Sequence, residues 1–188
     1  LGKQDFSRLK TEKTLEIIGT GELFEIFKKI ANKSDFGNLY ITKTNDKNNE
    51  AILEKAFKRA DFVIVENNRW NPNFLEKVNQ IALIQNKPWL LVRGMWRGYG
   101  SIGPLFYGKE TGCYECLSAR VKSNIEHLKY FLSYEKHLKD DNKSAQPDWA
   151  PTGFHEIIAS AAIFDSLKFL TEWDVPETYN NIINFLPS

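Results

Sequence analysis

Residues 62–66 read FVIVE, four apolar residues followed by one acid. A run this short and this apolar suits a strand buried on both faces, as in parallel sheets covered by helices. The flanking sequence carries the same signal. LEII at 15–18 is a second apolar run, and it ends in Gly19-Thr20-Gly21. Leu23, Phe24, Phe27 and Ile30 then recur at helical spacing. LYITKT at 39–44 alternates like a strand, and Ile52, Leu53, Ala56 and Phe57 mark a helix over 49–60. Pro72 suits the first turn of a helix whose apolar face is Phe74, Leu75, Val78, Ile81 and Ala82. PWLLV at 88–92 is a further buried strand. Strands and helices alternating at this spacing imply a parallel sheet with helices on both faces.

The rest of the chain breaks that rhythm. RGMWRGYGSIGPLF at 93–106 predicts a turn and an antiparallel strand or hairpin. A long helix or helix pair fills 114–138, and the polar stretch 139–151 is a loop. Residues 153–172 form a helix with Ile157, Ala161, Phe164 and Leu167 as its apolar stripe, and YNNIINF at 179–185 is a last strand. The expected fold is therefore α/β and Rossmann-like, with a mainly parallel sheet and a C-terminal antiparallel extension. Residues 1–14 are a polar, loose N-terminal segment, and 15–188 are one domain.

Composition narrows the function classes. The formal net charge of the 188 residues is +1, which gives no electrostatic reason to expect nucleic acid as a partner. No apolar run approaches about 18 residues, so no membrane span is expected. There is no secretory signal pattern, and two cysteines three apart do not make a disulfide framework; both point to a reduced, cytoplasmic setting. The chain opens on LGKQDF, and its one Met is Met95, so it reads as a processed or trimmed segment.

Three motifs could carry chemistry. Gly19 and Gly21 form a turn between a first strand and a helix, where backbone N–H groups can meet a phosphate. The dinucleotide fingerprint wants a third small residue, but Phe24 stands there, and Glu22 puts negative charge where an anion would dock. Neither Thr44 nor Asn45, just ahead of Asp46, supplies the acid that would hold a ribose hydroxyl at the end of the second strand. The turn thus reads as a tight bend more readily than as a live nucleotide site. Glu66-Asn67-Asn68 follows the third strand on the edge where open α/β sheets bind ligands, yet amides there also suit the cap of the helix near Pro72. Cys113 and Cys116 form a CxxC pair after a Gly-Lys-Glu-Thr-Gly turn. Two thiolates at this spacing can share a zinc ion at about 2.3 Å, half of a four-ligand structural site. A redox dithiol and two plain free cysteines are the other readings. His127, His137 and His155 lack the i, i+4 metal spacing and read as surface or structural. The five tryptophans read as core or interface residues, with Trp96 and Tyr99 in the Gly-rich hairpin as candidates for a partner.

IIGTGELFEIFKKI, ADFVIVENN, NPNFLEKVNQIALIQNKPWLLV and GSIGPLFYGKETGCYECLSAR together resemble the ThiF/MoeB/HesA group of ubiquitin-activating-enzyme-like adenylyltransferases. GPLFYGKETGCYECLSAR looks most like a divergent branch of that group. Its members partner YcaO-type cyclodehydratases in making thiazole- and oxazole-modified, bacteriocin-type peptides. The resemblance covers about 15–186 and is specific around 100–120. It implies a non-catalytic scaffold that presents a ribosomal precursor peptide to a cyclodehydratase, which itself uses ATP. It also implies a structural zinc on Cys113 and Cys116, with the other ligands beyond residue 188, and raises a homodimer through the sheet-and-helix body. ATP is not expected on this chain. If nucleotide binding survives, Gly19, Gly21 and Glu66 are the residues to hold it, and an active adenylyltransferase acting on a peptide or protein C-terminus is the alternative. The chain departs from the branch in having no room before residue 15 for a leader-binding module and no second CxxC, which implies missing flanking segments.

Overall fold

A computed structural model describes residues 12–33, 36–44, 50–108 and 110–187. The loose segment expected at the N-terminus and the pair Asn45 and Asp46 lie largely or wholly outside the described residues. Four strands, β1 (Thr14–Gly19), β2 (Asn38–Lys43), β3 (Phe62–Glu66) and β4 (Trp89–Trp96), alternate with three helices, α1 (Glu22–Ala31), α2 (Glu50–Arg59) and α3 (Pro72–Gln85). Then come β5 (Tyr99–Phe106), α4 (Tyr114–Ser123), α5 (Leu128–Asp140), α6 (Phe154–Thr171) and β6 (Ile183–Phe185).

The six strands form one sheet in the order β2-β1-β3-β4-β5-β6. The pairs β1–β2, β1–β3 and β3–β4 are parallel, while β4–β5 and β5–β6 are antiparallel. The expected α/β class, with its antiparallel C-terminal extension, is what the chain forms. Alternate strand residues serve opposite faces. Leu15, Ile17, Phe62 and Ile64 pack with Leu23, Phe27, Ala159 and Ile163 of α1 and α6. Ile18, Val63 and Val65 pack with Leu53 and Phe57 of α2 and Leu75 and Val78 of α3. The middle of β1 breaks the apolar rule. Glu16 is fully buried, and Arg59 donates to both its oxygens, at 2.6 and 2.9 Å.

Three differences from the sequence reading have physical causes. First, β4 runs on to Trp96, because Arg97 and Gly98 (φ 54° and 87°) make a two-residue turn that returns the chain as β5. Positive φ at both central residues matches hairpin twist. Second, β6 is shorter than the expected strand; before it, Tyr179 makes only an isolated bridge to Leu105. Third, the stripe expected to bury α6 is wrong. Ile157 and Phe164 are 58% and 50% exposed, while Ile158, Ala159, Ala162 and Ile163 face the sheet. The helix is apolar on nearly every side, so periodicity does not choose a face. Packing chooses it, and brings Asp165 inward to accept hydrogen bonds from the Glu177 and Thr178 backbone.

The strand order places the site. From β1 the chain steps outward to β2, then crosses back to β3 on the other side of β1. The carboxyl ends of β1 and β3 therefore lie side by side, with α1 and α3 departing on opposite faces. This reversal is the crevice in which open α/β sheets hold ligands.

Candidate functional site

Gly19 ends β1 and Glu66 ends β3, so the reversal brings them together. The Glu66 carboxylate lies on the Gly turn. The Thr20 N–H donates to its Oε2 at 2.9 Å and the Asn68 N–H to its Oε1 at 2.7 Å. A Cβ on Gly19 would stand 2.6 Å from Oε2, so only glycine admits the carboxylate here. Gly21 caps α1 with φ 92°, a conformation side chains avoid. Burial pushes the Glu66 carboxyl up to about 7, against the pull of the hydrogen bonds from Thr20 and Asn68 and the charge of Arg69. Glu22 follows at the first position of α1 and is mostly exposed. An N–H that a phosphate oxygen would use is thus already paired with a carboxylate, and a second carboxylate stands at the helix start.

Asn67 and Asn68 divide the two roles considered for them. Asn67 Oδ1 accepts the Asn71 N–H at 3.4 Å, and Asn71 itself caps α3 by accepting from the Phe74 N–H at 3.0 Å. The capping residue was legible in the Asn71-Pro72 pair, one position ahead of the helix start that was read. Asn68 has no such duty. It is 8% exposed, and its Oδ1 has no hydrogen-bond partner. Beside it lie Gly94 and His155. A Cβ on Gly94 would stand 2.4 Å from Asn68 Oδ1 and 2.8 Å from His155 Nε2. His155 Nε2 is also buried without a partner, while Nδ1 lies 3.9 Å from Glu22 Oε2. Burial holds this imidazole below its ordinary range, with Glu22 pulling the other way.

Asn67 and Asn68 also open onto a pocket of about 370 Å³ on the α4 and α5 side of the sheet edge. Its walls are aromatic. Trp70 stacks on Phe131 at 5.4 Å and meets Trp96 edge-on at 6.4 Å. Tyr99, Tyr114 and Tyr134 complete the rings, and Leu117 and Val121 of α4 add apolar wall. The two hairpin residues singled out for a partner, Trp96 and Tyr99, are half-buried and line this pocket. Arg93 lines it too, and its Nε is buried with no hydrogen-bond partner.

The CxxC pair opens α4, with Cys113 as its N-cap and Cys116 in the first turn. Asn79 of α3 holds this start in place: its Oδ1 accepts the Tyr114 N–H at 3.0 Å. The two sulfurs are 3.5 Å apart. Hydrogen bonds from Cys113, first its backbone and then its thiol, hold the Cys116 thiol below its ordinary range. Two sulfurs at this separation can share an ion at about 2.3 Å each with an angle near 100°, so the pair fits half of a tetrahedral site. Among the described residues no group of three or more His, Cys, Asp and Glu side chains gathers to complete one. His127 and His137 lie apart from the sheet edge, on α5 or its cap. His155, Arg93 and Asn79 were not singled out by chemistry in the sequence. The adjacent Gly94, which Asn68 and His155 crowd, was the one local sign of that corner.

No protein-family profile matches the chain, and no curated protein does. Solved structures do. The fold is shared with E. coli MccB, solved with ATP, at TM-score 0.67 and 18% identity; the match covers 96% of this chain and 62% of that one. It is shared with the heterocyclase TruD at TM-score 0.69 and 17% identity, covering 94% of this chain and 25% of that one. A heterocyclase in complex with substrate and cofactor matches at TM-score 0.63 and 16% identity, covering 94% and 23%. The chain thus spans about three fifths of the length of MccB and about a quarter of the heterocyclases. At these identities the likeness is one of fold.

Proposed function

We propose that this chain is a non-catalytic partner in peptide natural product biosynthesis, presenting a ribosomal precursor peptide to a YcaO-type cyclodehydratase that forms thiazoles or oxazoles with ATP. One observation carries the reading: the buried Glu66 carboxylate sits on the Gly19-Thr20 turn and takes the Thr20 N–H. A triphosphate docking there would find the Thr20 N–H already taken by this carboxyl, and α1 begins with another acid, Glu22. The fold likeness to the heterocyclases supports the choice of partner. In this reading the sheet edge holds peptide, and the ATP is spent on the partner enzyme. No described helix is long and apolar enough to cross a membrane.

Cys113 and Cys116 would hold a structural zinc ion together with two further ligands. When bound, the ion supplies a cross-link that fixes the start of α4 against the turn before it. Asn79 and the Tyr114 N–H already set that start, and so set the wall of the aromatic pocket. Metal analysis of the full-length protein, which would bring the ligands expected beyond residue 188, tests this part: one zinc per chain is expected, and no zinc with two freely titratable thiols would remove it.

The second reading is an active adenylyltransferase acting on a peptide or protein C-terminus. Its supporting observation is the fold shared with E. coli MccB, which has been solved with ATP. Pyrophosphate exchange separates the two. The presenting role predicts none from this protein alone, together with co-purification of a cyclodehydratase and faster heterocycle formation when the protein is added. Exchange that depends on a peptide would favour the enzyme.

A further inference from the structure

The aromatic pocket carries a charge imbalance. Arg93 and Arg97 line it, and no Asp or Glu does. Other partly buried cations have partners: Arg59 with Glu16, Lys122 with Glu135, Lys168 with Glu177, and Lys87 with the Ala60 carbonyl. Arg93 has no such partner among the described residues, and its Nε is buried and unbonded. Asn68 also lines the pocket, but its unpartnered amide oxygen lies over Gly94 beside His155, away from Arg93. Buried polar groups are normally paired, and an orphaned guanidinium nitrogen in an aromatic wall without an acid marks a place where an anionic group completes the bonding. The volume, about 370 Å³, lies at the small end of ligand sites.

We propose that this pocket binds an internal acidic segment of a peptide, with a bulky apolar side chain lying against the Trp70, Trp96 and Phe131 cluster and a neighbouring Asp or Glu carboxylate on Arg93. This rests on the peptide-presenting reading and names the part of the peptide that is gripped. A planar guanidinium paired with a carboxylate inside an apolar wall gives a short, charge-assisted contact with directional specificity. Aromatic walls suit an apolar side chain and keep water from that contact. A nucleotide, also anionic and flat, is the less favoured occupant: the pocket lies on the α4 and α5 side, whereas the Gly turn opens on α1 and is filled by Glu66.

The test is calorimetric titration of the whole chain with capped tetrapeptides. Acetyl-Ala-Phe-Asp-Ala-amide is expected to bind about 10-fold tighter than its Asn counterpart and than acetyl-Ala-Ala-Asp-Ala-amide. Arg93→Gln is expected to erase the preference for Asp. Val121→Trp, at an exposed position of α4 on the pocket wall, is expected to block binding without touching the core. Equal binding of the Asp and Asn peptides, or no binding at all, overturns the proposal. Stronger binding of free-acid acetyl-Ala-Phe would assign the arginine to a chain terminus and overturn the internal segment. ATP competing for the Arg93-dependent site would assign it to nucleotide. The outcome is separable from the wider reading: a Val121→Trp protein that has lost peptide binding but still co-purifies with cyclodehydratase sinks neither, whereas wild-type protein that binds no peptide yet co-purifies sinks the pocket alone.

Discussion

Replacing Glu66 by Gln tests the corner where β1 and β3 end. In the wild type the buried carboxyl titrates near 7, raised from an ordinary 4.5. A carboxyl whose folded value lies above its unfolded one stabilises the fold fully below about pH 4.5. That contribution is lost as pH rises and is gone above about pH 7. The difference of about 2.5 units at about 1.4 kcal/mol each gives a loss of about 3 kcal/mol across this window. Glu66→Gln cannot ionise, so this slope disappears. Its amide can accept one of the two N–H groups that the carboxylate takes from Thr20 and Asn68. Leaving the other unpaired costs about 1–3 kcal/mol at every pH. The variant is therefore about 1–3 kcal/mol less stable than wild type at pH 4.5, and by pH 8 it is level with it or up to about 2 kcal/mol more stable. Urea unfolding of both proteins from pH 4.5 to 8 measures this. The difference between them cancels the titration of shared groups such as His155. A difference that stays constant within about 1 kcal/mol would refute the claim that this carboxyl is held against the Gly turn away from water.

Two further perturbations probe the scaffold. Arg59→Met strands the fully buried Glu16, which should cost about 3–5 kcal/mol and lower the melting temperature by about 10 °C, and Glu16→Met in the same protein should recover most of it. Single-variant loss within 1 kcal/mol would show that Glu16 reaches water. Asn79→Ala removes the acceptor of the Tyr114 N–H at the start of α4. It should cost about 1–2 kcal/mol and speed hydrogen exchange at the Tyr114 amide, and unchanged exchange there would mean that Asn79 does not set the CxxC turn.

The parallel body was legible because β1, β3 and the start of β4 are buried on both faces and read as short apolar runs, while the edge strand β2 alternates. The Gly19 and Glu66 positions were legible for a related reason: in a parallel sheet all strand carboxyl ends share one edge. Their contact was not, because it depends on strand order, which local pattern does not encode. Glu66 was read as an acid that could serve a nucleotide; the fold turns it toward the turn's own backbone. The α6 stripe failed where the helix offers apolar residues on every side, and only docking against the sheet decides which face is covered. The pocket was invisible for the same reason. Asn68, Arg93, Val121 and Phe131 come from four separate segments, and nothing near Arg93 in the chain shows that it lacks an acid. Trp96 and Tyr99 gave the one partial sign, since aromatic side chains in a Gly-rich hairpin are poorly placed for the core.

The most direct test of the central claim is a calorimetric titration of magnesium-ATP into the purified protein. Glu66 on the Gly turn predicts no saturable heat up to millimolar nucleotide. One-to-one binding in the micromolar range, with phosphate contacts to the Gly19–Gly21 backbone in a co-crystal, would contradict it.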